Sequence, residues 1–243
     1  MHGLGTIINA AAIILGGFVG MFFGKKLPDR FRQILITACG VSTLFLGIGG
    51  AMEKMLKIYD GELSASGTMM IIGSFVLGAA LGELLDIDRH TEQFGAWLKK
   101  KTKSEKDNSF ADGFVNASLT VCVGAMAIVG SIQDGIYGDY STLTAKAVLD
   151  FTIVLVMAAS MGKGCIFSAL PVAVFQGIVT ALARLAQPLF TEQALNNLSL
   201  TGSILIFCVG VNLIWGKKIK VANLLPTIIF AVLFAFIDLP FLS

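Results

Sequence analysis

The chain has 243 residues, 55% of them hydrophobic and only 14% charged, with a formal net charge of +2. A soluble domain carries about 25% charged residues, so this balance excludes an ordinary water-soluble enzyme and, for the same reason, a disordered chain. With 27 Gly against 5 Pro and a mean hydropathy of +0.80, the composition is that of a polytopic helical membrane protein.

In chain order, the apolar runs fall at 6–24, 34–52, 67–85, 111–132, 145–161, 166–186, 199–215 and 221–239. Continuous runs of this length predict helices rather than the alternating strands of a barrel. The expected fold is therefore all-α: a transmembrane helix bundle of about eight spans in a single integral membrane domain, 1–243. The first run lacks a basic leader and is long enough to span, so it reads as a membrane helix and not a cleaved signal. The runs at 111–132 and 145–161 are the most polar. The long polar segment 87–110 reads as a cytoplasmic loop, with a short amphipathic stretch around Phe94–Leu98 that sets Trp97 at headgroup level.

Eight spans place Lys25, Lys26, Arg30, Arg32, Arg89, Lys99, Lys100, Lys101, Lys103, Lys106, Lys163, Lys217, Lys218 and Lys220 on one side. Lys54, Lys57, Lys146 and Arg184 fall on the other. The positive-inside rule puts the first group in the cytoplasm and both termini outside. The Lys99–Lys103 cluster reads as a solvated loop.

Segments 13–50 and 172–212 resemble each other. Gly17, Pro28, Gln33 and Leu35 match Gly177, Pro188, Gln193 and Leu195, and after a two-residue shift Gly40 and Phe45 match Gly202 and Phe207. Two readings stand: chance similarity among apolar segments, or three-helix repeats at 1–86 and 162–243 flanking a central helix pair at 111–161. Five spans separate the equivalents, so such repeats would be inverted, as in many secondary transporters.

Gly16, Gly20 and Gly24 stand four apart on one helix face, and Gly78 and Gly82 form a second pair. Small-xxx-small faces let helices approach closely. Cys39, Cys122, Cys165 and Cys208 are scattered through apolar runs and read as small buried side chains, with no zinc or disulfide spacing.

The richest stretch is 116–150. Asn116, Gln133, Asp134 and Asp139 precede a helix in which Lys146 and Asp150 stand four apart on one face. Asp150 lies about two turns into an apolar span, where a charge costs roughly 2.5–3.5 kcal/mol. One reading is a polar vestibule leading to an ion or solute path. The other is an outward loop followed by a structural ion pair. Downstream, Gly162 and Gly164 flank Lys163, and Pro171 lies inside the next run. A kink there would free carbonyls beside Ser168 and Gln176, although such kinks also serve packing alone. The lone amides Asn9, Asn116 and Asn212 are explained by interhelical hydrogen bonds. His2 and His90 lie outside the spans, and with no Ser/His/Asp set enzyme chemistry is not expected. No cofactor, metal site or nucleic-acid interface is expected either.

In ASLTVCVGAMAIVGSIQDGIYGDYSTLTAKAVLD (117–150), FSALPVAVFQG (167–177) and GTIINAAAIILGGFVG (5–20), the chain resembles the YdfK/YqgA-like family of bacterial integral membrane proteins. The resemblance covers nearly the whole length. It departs at MGKGCIFSALP, where the family is more apolar between the glycines. It implies a bacterial cytoplasmic (inner) membrane location and a helical fold, and no substrate. The expected function is a small secondary transporter or ion-translocating protein acting on a small solute or ion. The alternative is a non-transporting scaffold, subunit or sensor that forms a homo-oligomer through its glycine faces.

Overall fold

The computed structural model describes residues 2–23, 28–59, 61–90, 93, 108–122, 125–189 and 191–237. Among the described residues the fold is all-α apart from one hairpin. Its elements are α1 (Leu4–Phe23), α2 (Asp29–Met55), strands β1 (Leu56–Tyr59) and β2 (Glu62–Ala65), α3 (Thr68–Leu85), α4 (Asn108–Cys122), α5 (Ala125–Tyr137) and α6 (Ser141–Met161). A 3₁₀ segment (Gly162–Ser168) leads into α7 (Ala169–Ala186), followed by α8 (Glu192–Trp215), α9 (Val221–Leu224) and α10 (Thr227–Phe234).

Among the described residues, six helical segments are long and apolar enough to cross a membrane: Leu4–Phe22, Ile36–Met55, Thr68–Leu85, Ser141–Ala159, Gly162–Ala186 and Glu192–Trp215. The fourth expected run is divided between α4 and α5, with 123–124 outside the described residues, and neither helix alone reaches that length. The last run, Val221–Phe234, is shorter and is interrupted where Pro226 supplies no backbone donor. The Trp97 stretch and Lys99–Lys103 lie outside the described residues.

Three local features differ from the sequence expectations. β1 and β2 pair antiparallel in the register Leu56↔Ala65 to Tyr59↔Glu62, and Gly61 at φ 82° supplies the left-handed residue a tight turn requires. The seventh run begins at Glu192 rather than 199, because Thr191 caps the helix by accepting from the Ala194 amide at 3.2 Å. Pro171 lies inside the Gly162–Ala186 span but at the third residue of α7, just past the change from 3₁₀ to α-helix, a first-turn position that tolerates a missing N–H.

The chain divides into two compact units, Met1–Cys39 with His90–Leu185 and Gly40–Arg89 with Ala186–Ser243. In the first unit, α1 lies along α6. A Cβ added at Gly16 would stand 2.5 Å from the Phe151 carbonyl oxygen, and one at Gly20 would strike the Leu155 carbonyl. Advancing along α1 advances along α6, so the two are parallel. The buried core here is Ile13, Ala117, Val121, Val154, Ala158, Cys165, Ala169 and Val172. Large side chains such as Leu15, Phe18, Phe22, Ile178 and Leu182 face outward. Such apolar outer faces suit lipid, not water.

In the second unit, α2 and α8 pack antiparallel through small residues, Gly40 on Leu213, Gly210 on Leu44, Gly47 on Phe207 and Gly50 on Ser203. Gly78 and Gly82 of α3 meet Thr227 and Asn223 just as closely. Four of the five glycines singled out for helix packing are thus consumed inside the chain, and Gly24 lies outside the described residues. At one end of this unit, Lys217 pairs with Asp88 at 2.6 Å and Lys220 with Glu83 at 2.7 Å, while Asn223 donates to Glu83 and accepts from the Asp88 amide. The Glu83 contact holds the Lys220 ammonium above its ordinary range. Lys54, Lys57, Ser66 and Thr191 line a separate cavity of about 680 Å³.

Candidate functional site

The polar groups that carry chemistry lie inside the first unit. Lys146 and Asp150, one turn apart on α6, form an ion pair at 2.7 Å, with residue exposures of 6% and 2%. The Lys146 ammonium donates to both Asp150 carboxylate oxygens and to the Val121 carbonyl at 2.8 Å, which employs all three of its protons. Asn9 of α1 donates its Nδ2 to Asp150 Oδ2 at 3.0 Å. That bond fixes the amide: Nδ2 faces the carboxylate, and Oδ1 points away with no partner.

Asp134 plays a different part. Its buried carboxylate accepts from the Gly3 amide at 3.0 Å and the Gly5 amide at 3.1 Å. It therefore caps the start of α1, where backbone donors would otherwise be orphaned. The His2 ring lies 3.0 Å from its backbone carbonyl. Gln133 is buried and accepts from the Thr142 hydroxyl at 2.7 Å. Asp139 is exposed and accepts from the Ser141 amide at the start of α6. Ser168 is buried and donates to the Cys165 carbonyl at 2.7 Å. Asn116 donates to the Met161 sulfur at 3.8 Å. Of the eight path candidates, then, the structure joins Lys146 to Asp150. It gives Gln133, Asp134, Asp139, Ser168 and Asn116 local partners.

Gln176 is the exception. It is fully buried, and neither amide atom has a hydrogen-bond partner. Thr6, Ser131 and Thr180, also buried, each carry an unpartnered hydroxyl. Burying such a group without a partner costs about 1–3 kcal/mol, so this grouping calls for an explanation.

Helix geometry relates these residues. Thr6 and Thr180 line one cavity of about 560 Å³, together with His2, Gly177, Ala181 and Arg184. Farther along α1, Gly17 packs on Ile166. Going from 6 to 17 on α1 therefore runs from 180 back to 166, and α1 is antiparallel to α7. Asn9, three residues inward of Thr6, comes level with Gln176, four residues inward of Thr180. On α5, Gly135 abuts the Thr180 carbonyl. The tight connection at 138–140 makes α5 antiparallel to α6, and hence parallel to α7. Ser131, one turn before Gly135, then also comes level with Gln176. By helix register Asn9, Ser131 and Gln176, all buried, come to about one level, a polar layer one turn inward of Thr6 and Thr180, and Asn9 reaches the Lys146–Asp150 pair through its bond to Asp150. Thr6 and Thr180 are not among the residues expected from the sequence, in which Asn9 stands as a lone amide. The available signal was polar residues three and four apart within apolar helices, Thr6/Asn9 and Gln176/Thr180.

The family described as Protein of unknown function (DUF554) matches residues 4–236. The chain belongs to that family. Two relatives agree in extent. "Uncharacterized membrane protein YdfK" of Bacillus subtilis (strain 168) is 28% identical over 225 residues, 93% of this chain and 92% of the relative. "Uncharacterized protein YqgA" of Escherichia coli (strain K12) is 28% identical over 232 residues, 94% of each chain. No solved structure matches. This DUF554 member is a multi-helix membrane protein whose family assignment agrees with the resemblance read from its sequence.

Proposed function

We propose that the protein translocates a small ion, alone or coupled to a small solute, through its first unit. The observation that carries this reading is Gln176, a fully buried amide with both polar atoms unpartnered, one helical turn from a cavity-lining threonine. A structural core would pair or replace such a side chain. A path must instead offer polar groups that are free to meet what passes. The cavity between α1 and α7, lined by His2, Thr6, Thr180 and Arg184, is the entrance in this reading. The layer of Asn9, Ser131 and Gln176 follows, and the Lys146–Asp150 pair is the charged element beside it. Intramembrane charges usually mark ion or proton routes.

Two further features favour a transporter. The antiparallel α2–α8 ladder is centred close to Phe45 on one helix and Cys208 on the other. The sequence similarity equates Phe45 with Phe207. A two-fold axis through that crossing would produce this coincidence, so inverted repeats are the favoured reading of the similarity. In each unit, moreover, connections gather by end as alternating passes require. Lys217 and Lys220 meet Asp88 and Glu83, whereas residue 2 lies near Asp134 and Arg184. In the orientation expected from the Lys and Arg distribution along the sequence, the side bearing residue 2 and Arg184 faces outside a bacterial inner membrane, and so does the cavity they line. The scaffold alternative is disfavoured because Gly16, Gly20, Gly78 and Gly82 already pack against other helices of the same chain.

The test uses purified full-length protein in liposomes that entrap Na+-, K+- or pH-sensitive dyes. Flux of at least one ion above protein-free vesicles is expected, and Asp150→Asn should abolish it. Folded protein that moves none of the three overturns the proposal.

A further inference from the structure

The direction of the Asn9 amide decides what the buried layer accepts. Its Nδ2 is committed to Asp150, so Oδ1 presents a bare acceptor toward the layer. The adjoining carboxylate polarises that amide and makes the oxygen more negative. An anion here would be repelled, and Lys146 cannot answer it because its three protons are already spent on Asp150 and Val121. The Ser131 hydroxyl and Gln176 Oε1 add two more oxygens without partners, and the buried, unpartnered hydroxyls of the cavity-lining residues Thr6 and Thr180 stand one turn away. Oxygen donors of this kind suit hard cations. Calcium affinity rises with the charge of its oxygen ligands, and the one carboxylate nearby is neutralised by Lys146.

We propose that Asn9 Oδ1, Ser131 Oγ and Gln176 Oε1 supply three ligands to a partly dehydrated monovalent alkali cation, which keeps water at its remaining positions and enters through the cavity lined by Thr6 and Thr180. This inference rests on the translocation reading for its route but not for its binding, and the two can fail separately. A cation held by neutral oxygens keeps its full charge, because the Asp150 carboxylate behind Asn9 is already neutralised by Lys146. Size and ligand number, not charge, would then select the ion.

Thermal unfolding of the purified full-length protein in detergent, followed by intrinsic fluorescence, tests this at equal ionic strength in NaCl, KCl, CaCl2 and choline chloride. A ligand that binds only the folded form raises the midpoint as its concentration rises. NaCl or KCl should raise it above choline chloride, with CaCl2 adding nothing. Ser131→Ala, the mildest change, and Gln176→Met, which keeps the volume, should each weaken apparent affinity by about tenfold or more. Equal midpoints in all four salts overturn the site, as does stabilisation by calcium alone. Stabilisation that persists unchanged in both variants assigns the ion elsewhere and overturns it too. Cation stabilisation without flux in liposomes leaves the site standing and removes translocation. Flux without cation stabilisation does the reverse.

Discussion

Lys146 and Asp150 form an ion pair sealed inside the first unit, 2.7 Å apart on adjacent turns of one helix. Its net worth to stability is small, because desolvating both charges offsets most of their attraction. Its sensitivity to the loss of one partner is large. Lys146→Met or Asp150→Asn alone should destabilise the protein by about 3–5 kcal/mol, since each strands a buried charge or its donors. The double variant Lys146→Met/Asp150→Leu should recover most of that loss. Chemical unfolding in detergent micelles measures all three. If the double variant is no more stable than the singles, the pair is not isolated as described.

This result bears on how flux data are read. A silent Asp150→Asn protein could be silent because it is unstable. The double variant separates the cases: restored stability with flux still absent assigns the carboxylate to the path.

Asp134 secures the first helix by its N-terminus, not by its apolar face. Asp134→Ala should cost about 0.5–2 kcal/mol, the usual value of a lost cap, and Asp134→Asn should keep part of it. The distinguishing signal is local. Hydrogen exchange at the Gly3 and Gly5 amides should accelerate in Asp134→Ala while amides in the middle of α1 stay protected. Uniform acceleration along α1 would contradict a capping role.

Gly16 and Gly20 face backbone carbonyls, which cannot rotate aside as side chains do. Gly16→Ala and Gly20→Ala should each destabilise by about 1–3 kcal/mol, the range for overpacking. Gly49, with nothing within 4 Å, should accept Ala at little cost. Size-exclusion profiles of all three should match the parent protein, because these contacts lie within one chain. A shift in oligomeric state for Gly16→Ala would return the glycine face to an intermolecular role.

Much of the helical fold was legible because lipid imposes a simple rule: long apolar runs must be helices. The hairpin Leu56–Ala65 is not among the sequence expectations: its one cue, the Asp60-Gly61 pair that favours a tight turn, lies between two runs whose hydropathy dominates. The Lys146–Asp150 pair followed from spacing alone. The role of Asp134 did not. Its partners, the Gly3 and Gly5 amides, stand about 130 residues away in sequence, and backbone donors leave no trace in a string of side chains. Pro171 illustrates the converse. Its meaning depends on where α7 starts, and the 3₁₀ segment Gly162–Ser168 moved that start three residues past the expected one. The polar layer was hardest to read, because Asn9, Ser131 and Gln176 come from three separate helices and only packing brings them to one level.

Placing a single thiol at position 176 probes that layer most directly. In a background with Cys39, Cys122, Cys165 and Cys208 replaced by Ser or Ala, Gln176→Cys is treated in intact vesicles with a small, membrane-impermeant methanethiosulfonate. A polar route from the cavity predicts modification from the side bearing residue 2 and Arg184, slowed when Thr180 is changed to a bulky Phe. A thiol at 176 that resists reagent from both sides, while one at Arg184 reacts, would contradict a route through the first unit.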